Sequence, residues 1–212
     1  VVDRVIRPGD ALLVRGGPVA DDEIWVRAGA GGRPGRPIVI RNAPGERPQL
    51  TQTGRPVILE GSHVTFSGFR FGPGKSISVG ADSGARDIRV VDNSFTGTLG
   101  FDAVGTHGDD LLIAGNVCAA TGSTVETQGH CYYVSNGSRI RLLWNVGSGV
   151  SGYGIHIFDQ QRSPQDIRRR ITDVLVEGNL LRGSTERSGL IVAMGDEGKL
   201  GNAVTKVRIR GN

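Results

Sequence analysis

Along the chain, apolar and polar positions alternate in short runs, and the runs come back at intervals of a few tens of residues. From Val57 onward one phrase recurs, apolar-x-apolar-x-x-Asn, closing at Val90 to Asn93, Ile113 to Asn116, Leu142 to Asn145, Val176 to Asn179 and Ile209 to Asn212. Val64 to Phe69 carries the same phrase with Phe in the Asn place. These closing positions are separated by 24, 23, 29, 34 and 33 residues. Period-two alternation predicts short strands, and a fixed return predicts a solenoid whose coils each hold three strands and three turns. The expected fold is all-β, a single-stranded right-handed parallel β-helix with three sheets. Asn at one corner of successive coils can bond up the stack through its side-chain amide, satisfying turn backbone groups that no strand reaches. We therefore read these asparagines as a structural ladder.

The stretch Gly129 to Phe158 holds two successive rungs. Tyr132 and Val134 face inward, Asn136-Gly137-Ser138 turns, Ile140 and Leu142 face inward again, and the pattern restarts at Ile155 and Ile157. On the first sheet, alternation predicts inward pairs Ile77/Val79, Phe101/Ala103, Tyr132/Val134, Ile155/Ile157 and Leu190/Val192. The outward residues between them are Ser78, Asp102, Tyr133, His156 and Ile191, stacked ~4.8 Å apart. Nearer the N-terminus, Val1 to Val5 reads as the stub of an amphipathic helix. Ala11 to Arg15, Ile24 to Val26 and Pro37 to Arg41 read as strands, with turns at Pro8-Gly9 and Pro44-Gly45.

Composition sharpens this picture. With 34 Gly, 9 Pro and 5% aromatics, the chain disfavours long helices and favours short strands joined by sharp turns. We expect one domain over residues 1–212, a fragment that begins without a leader and stops on Asn212 without a cap, so further coils or a cap are expected beyond it. No run of 18 apolar residues exists, which argues against a membrane span. The net charge of +4, mostly Arg, with a dense group at Arg168-Arg169-Arg170, suits an anionic polymer. Without aromatic interleaving or a nucleic-acid motif, nucleic acid is not the expected partner. Cys118 is predicted to face the core and Cys131 to face outward, hence unpaired. Three coils exceed the 23-residue rung by 6, 11 and 10 residues. The extra residues fall at Ala119 to Gly129, Asp159 to Thr172 and Gly195 to Val204, all flanking the first sheet, where they would wall a groove.

The segment PGDALLVRGG…GRPIVIRNAPGERPQL resembles the first coils of secreted right-handed parallel β-helix proteins related to polysaccharide lyases. Gly100-Phe101-Asp102-Ala103-Val104 resembles the Gly-Phe-Asp-Pro-His box of mannuronan C5-epimerases. Ala and Val replace its Pro-His pair, so the resemblance carries over Asp102 alone. Gly129-His130 and Ser138-Arg139-Ile140-Arg141 resemble the Gly-His-Gly and Arg-Ile-Lys boxes of polygalacturonases, without their Asn-Thr-Asp box. What this superfamily implies is a secreted or cell-surface, pectin-lyase-like protein with an acidic polysaccharide as partner.

The residues support a matching chemistry. Asp102, Tyr133 and His156 are the candidate catalytic residues, because a carboxylate, a phenol and an imidazole on neighbouring rungs can bind sugar and move protons. Tyr133 or His156 would serve as base and acid in removing the proton α to a uronate carboxylate. His130, Glu126, Asp159, Arg162 and Lys75 are candidate substrate-binding residues, with Arg162 or Lys75 neutralising the carboxylate. A bound Ca2+ is a candidate for the same task, but no metal-ligand set is evident. The expected function is thus a lyase or epimerase. The alternatives are a noncatalytic carbohydrate-binding module and a glycoside hydrolase on the same fold.

Overall fold

The computed structural model describes residues 6–19, 24–51, 57–80, 84–123, 129–159, 170–194 and 203–212, and of 121–123 the backbone alone. The helical stub expected at Val1 to Val5 lies outside these residues. Among the described residues there are 21 strands and no helix, hence no helix long and apolar enough to cross a membrane.

Every pair of named strands is parallel, and each strand pairs with the one a full coil away. The result is a parallel β-helix with three faces. Face A contains β1 (Ala11–Val14), β4 (Ile38–Asn42), β7 (Val64–Ser67), β10 (Arg86–Val91), β13 (Asp109–Ala114), the second half of β15 (Tyr132–Leu143), β18 (Ile171–Glu177) and β21 (Val204–Arg210). Face B contains β2 (Gly17–Val19), β5 (Pro48–Leu50), β8 (Arg70–Phe71), β11 (Ser94–Leu99), β14 (Val117–Ser123), β16 (Val146–Ser148) and β19 (Leu180–Arg182). Face C contains β3 (Trp25–Val26), β6 (Val57–Leu59), β9 (Ile77–Val79), β12 (Val104–His107), the start of β15, β17 (Ile155–Asp159) and β20 (Leu190–Met194). β15 turns from face C to face A without losing its lateral pairing. It bends at Gly137, where φ is +116° and an added Cβ would lie 1.8 Å from the Gly108 carbonyl oxygen. Only glycine fits there.

The ladder runs between faces A and B. The backbone N–H of Phe69, Asn93, Asn116, Asn145 and Asn179 each donates to Oδ1 of the next asparagine, at 2.9–3.1 Å. Nδ2 of Asn116 and Asn145 donates to the carbonyls of Val90 and Ile113 one coil back. The buried amides are therefore paired, as a solvent-free corner requires. Phe69 does occupy the Asn place, and its ring stacks on Phe66 with centroids 4.4 Å apart.

Among the described residues, the eight non-glycine positions with positive φ fall in two columns. His63, Asp87, Asp110, Arg139, Asp173 and Lys206 each stand six residues before a ladder position; Asp92 and Trp144 stand one residue before theirs, where the other coils have glycine. The C-to-A corner, face A and the ladder therefore keep constant length from coil to coil. Variation in coil length is confined to the rest of the circuit, where β14, β17 and β20 end.

Inside, Ile, Val, Leu and Phe fill the solenoid, and Tyr132 lies at its centre with its hydroxyl 2.9 Å from the Asn116 and Val146 carbonyls. One expectation about the interior is overturned. Cys131 is buried, not outward, and forms a disulfide with Cys118 across a Cα–Cα distance of 5.7 Å. Strand alternation misplaced it because Cys131 precedes β15 and belongs to the corner, where the chain bends and carries the side chain inward.

Candidate functional site

Face C presents one outward column, in which Ser78, Gly105, Tyr133, His156 and Ile191 are lateral neighbours. Tyr133 and His156 stand on adjacent rungs as expected, with ring centroids 5.0 Å apart. Asp102 does not occupy the column. The strand begins three residues later than predicted, so Val104 and Thr106 face inward and Phe101 is 62% exposed. Phe101-x-Ala103 and Val104-x-Thr106 satisfy alternation equally well. The second wins because the buried Thr106 hydroxyl donates to the Tyr133 carbonyl at 3.0 Å.

Asp102 nonetheless returns to the site from the corner. A Cβ on Gly105 would lie 3.6 Å from its Oδ2, so the carboxyl borders the bare outward position beside Tyr133. The residue is half-buried as a whole, but its Oδ1 is buried and has no hydrogen-bond partner among the described residues. Burial pushes the carboxyl up to about 8, against a hydrogen bond from the His130 backbone that pulls it down. This shift favours the protonated carboxyl at neutral pH.

His130 is buried behind the column, not displayed at a groove mouth. Its Nδ1 accepts the Tyr153 backbone N–H at 2.9 Å, and its Nε2 lies 3.0 Å from Nδ1 of His156. Gly152 makes room for the ring, since a Cβ there would come within 2.2 Å of Nδ1. Burial, then the neighbouring His156 and Arg187, push His130 down to about 3; burial alone pushes His156 down to about 4. Both imidazoles are neutral above these values. Tyr153 and Phe158 complete the group, with centroids 4.7 and 5.1 Å from His156. Arg187, exposed on the segment before β20, is held near by register: Thr185 N–H donates to the Val150 carbonyl and Ile155 N–H to that of Gly189.

The remaining candidates do not join this group. Lys75 is buried, with 2% of its surface exposed, and cannot line a rim. Asp159 is fully buried because it continues the inward alternation of Ile155 and Ile157, and its carboxylate accepts the Ala203 N–H at 2.9 Å. A charged residue at a strand end reads as surface, but here it caps backbone. Glu126 and Arg162 lie outside the described residues, as do 124–128 of the first insertion expected to wall the groove and most of the other two. Among the described residues no cluster of three His, Cys, Asp or Glu side chains is placed to hold a metal ion.

Sequence reasoning missed Tyr153, Phe158 and Arg187. A usable signal for the first was present: all three tyrosines of the chain fall at 132, 133 and 153, and Tyr153 sits between two glycines. Comparison with known proteins finds no matching family model, no matching curated protein and no matching solved structure.

Proposed function

We propose that this β-helix acts on an acidic, uronate-containing polysaccharide, by β-elimination or by epimerisation at C5. The observation that carries the reading is the Tyr133–His156 pair on face C, with neutral Asp102 beside Tyr133 and the Arg187 charge acting on the adjoining His130. The C5 hydrogen of a uronate is acidified only if charge on the adjacent carboxylate is offset as the enolate forms. An N–H of neutral His156 and the Arg187 guanidinium supply that offset. Tyr133, as phenolate, takes the C5 proton. In elimination the C4–O4 bond then breaks, C4=C5 forms, and the phenol returns the proton to O4. In epimerisation Asp102 supplies a proton to the opposite face of C5.

The net positive charge suits such a polymer, and the buried Cys118–Cys131 disulfide suits an oxidising compartment, hence a secreted or cell-surface location. The stacked rings of His156, Tyr153 and Phe158 also favour a second reading, a sugar-binding module without turnover. A glycoside hydrolase needs a second carboxylate, and among the described residues the group contains Asp102 alone.

The test is incubation with alginate, pectate and glycosaminoglycans, following the ultraviolet absorbance of an unsaturated uronate and, by proton exchange from solvent, epimerisation. Turnover that falls by about 100-fold or more in both Tyr133→Phe and His156→Ala is the expected result. Binding with neither product from any substrate establishes the module instead.

A further inference from the structure

Three groups in a row set the proton positions at the site. A peptide N–H can only donate, so Nδ1 of His130, which receives the Tyr153 N–H at 2.9 Å, must hold a lone pair. A neutral imidazole with Nδ1 unprotonated has its hydrogen on Nε2. That hydrogen points at Nδ1 of His156, 3.0 Å away, which must then also be an acceptor. The hydrogen of His156 is left on its own Nε2, which no described group bonds. Reversing the sequence would bring an N–H of His130 against the N–H of Tyr153.

We infer that His130 is a positioning residue that locks His156 in the Nε2–H tautomer, so that this position of face C offers a hydrogen-bond donor to an oxygen acceptor such as a carboxylate. It is unsuited to a divalent cation, which requires a lone pair on that nitrogen. The same lock removes His156 as the base of the proposed reaction and leaves that task to Tyr133. This division of labour rests on the proposed function; the tautomer does not.

The lock follows from packing as well as bonding. His130 is buried, stands at the corner beside the disulfide-bonded Cys131, and leans over Gly152, so its ring has no room to turn. His156 sits among Tyr133, Tyr153 and Phe158, and among the described residues no ionised side chain is bonded to it. Its donor state is set by the Tyr153 peptide, one ring removed.

Imidazole nitrogen NMR of the full chain labelled at histidine reads this without any substrate. The expected spectrum shows, for His130 and His156 alike, Nδ1 unprotonated and Nε2 protonated, unchanged from neutral pH down to about pH 5. His130→Gln can accept from Tyr153 with its amide oxygen and donate to His156 with its amide nitrogen, so His156 should keep its tautomer. His130→Phe keeps the ring and loses the relay, and His156 should then show both tautomers. A wild-type His156 protonated on Nδ1, or one in an even mixture, overturns the inference without any variant. So does an unaltered single tautomer in a folded His130→Phe. Because the readout needs no turnover, a correct tautomer in a protein inactive on every uronate polymer would sink the proposed function and leave the lock standing.

Discussion

Gly152 shows how narrowly a single residue can define the site. Its missing side chain is the space His130 occupies, with Nδ1 2.2 Å from where a Cβ would be. Gly152→Ala should displace the imidazole and also press on the Gly129 carbonyl oxygen, 2.7 Å from the same Cβ, so that turnover on a uronate polymer falls by at least about 10-fold and the thermal midpoint falls with it; parallel assay and thermal unfolding check this. At the same scale, alternation made Tyr133 and His156 legible, because both lie within strands whose apolar partners are unambiguous. It misread Asp102 because an apolar residue in a turn, Phe101, imitated a core position while a polar one, Thr106, filled the real one. Ionisation supplies a further expectation. Unfolded imidazoles take up protons below their ordinary 6.5, which folded His130 and His156 refuse down to about 3 and 4. Stability is therefore lost as pH falls through that window. Unfolded Asp102 releases its proton above its ordinary 3.8, while the folded carboxyl keeps it to about 8, so stability is lost as pH rises through that window. Two imidazoles against one carboxyl give a maximum near 6.5. Denaturant unfolding across this range should show Asp102→Asn abolishing the decline above the maximum and steepening the loss on the acid side, where the carboxyl had partly offset the two imidazoles.

Among the elements, the ladder is the one whose removal should cost most. Asn116 accepts from the N–H and the Nδ2 of Asn93 through one oxygen, and donates to Val90 and Asn145 through its amide, all within the solvent-free corner. Asn116→Ala leaves several of these groups buried without partners, and a loss of about 2–4 kcal/mol is expected from denaturant titration. Asn116→Asp should also destabilise, because a carboxylate cannot donate to Val90. The ladder was readable from sequence because its residue type is dictated by bonding in both directions. The C-to-A corner was not readable. Its column of positive-φ residues reads His, Asp, Asp, Arg, Asp, Lys, and nothing in that series announces a shared backbone conformation. Cross-coil pairs accompany the strain: Asp87 meets His63 at 2.8 Å, and the Arg139 guanidinium donates to Asp110 at 2.9 Å and holds its carboxyl below the usual range. The exposed Arg139–Asp110 pair contributes little, so a single substitution that breaks it should be nearly neutral.

For the molecule as a whole, the repeat of phrase and spacing was sufficient to predict the parallel β-helix, since coils that bury their strands against neighbours impose a period on the sequence. The disulfide was not predictable in the same way, because it joins a strand to a corner and obeys neither period. It links residues 13 apart, so opening it by reduction or by the double change Cys118→Ser, Cys131→Ser should lower stability by about 3 kcal/mol, visible as a shift in denaturant midpoint. His130 stands next to that bridge, so reduction should also weaken any activity at His156. The ladder has one further property. Each asparagine completes the coil before its own: its oxygen receives that coil's N–H, and its amide covers a carbonyl near the end of that coil's face A strand. On a ribosome, where the N-terminal end emerges first, a coil would stay unfinished until the following asparagine arrives. Assembly then has a direction and a clock, each turn being sealed by its successor, and an arrested nascent chain would always carry one open turn at its growing end.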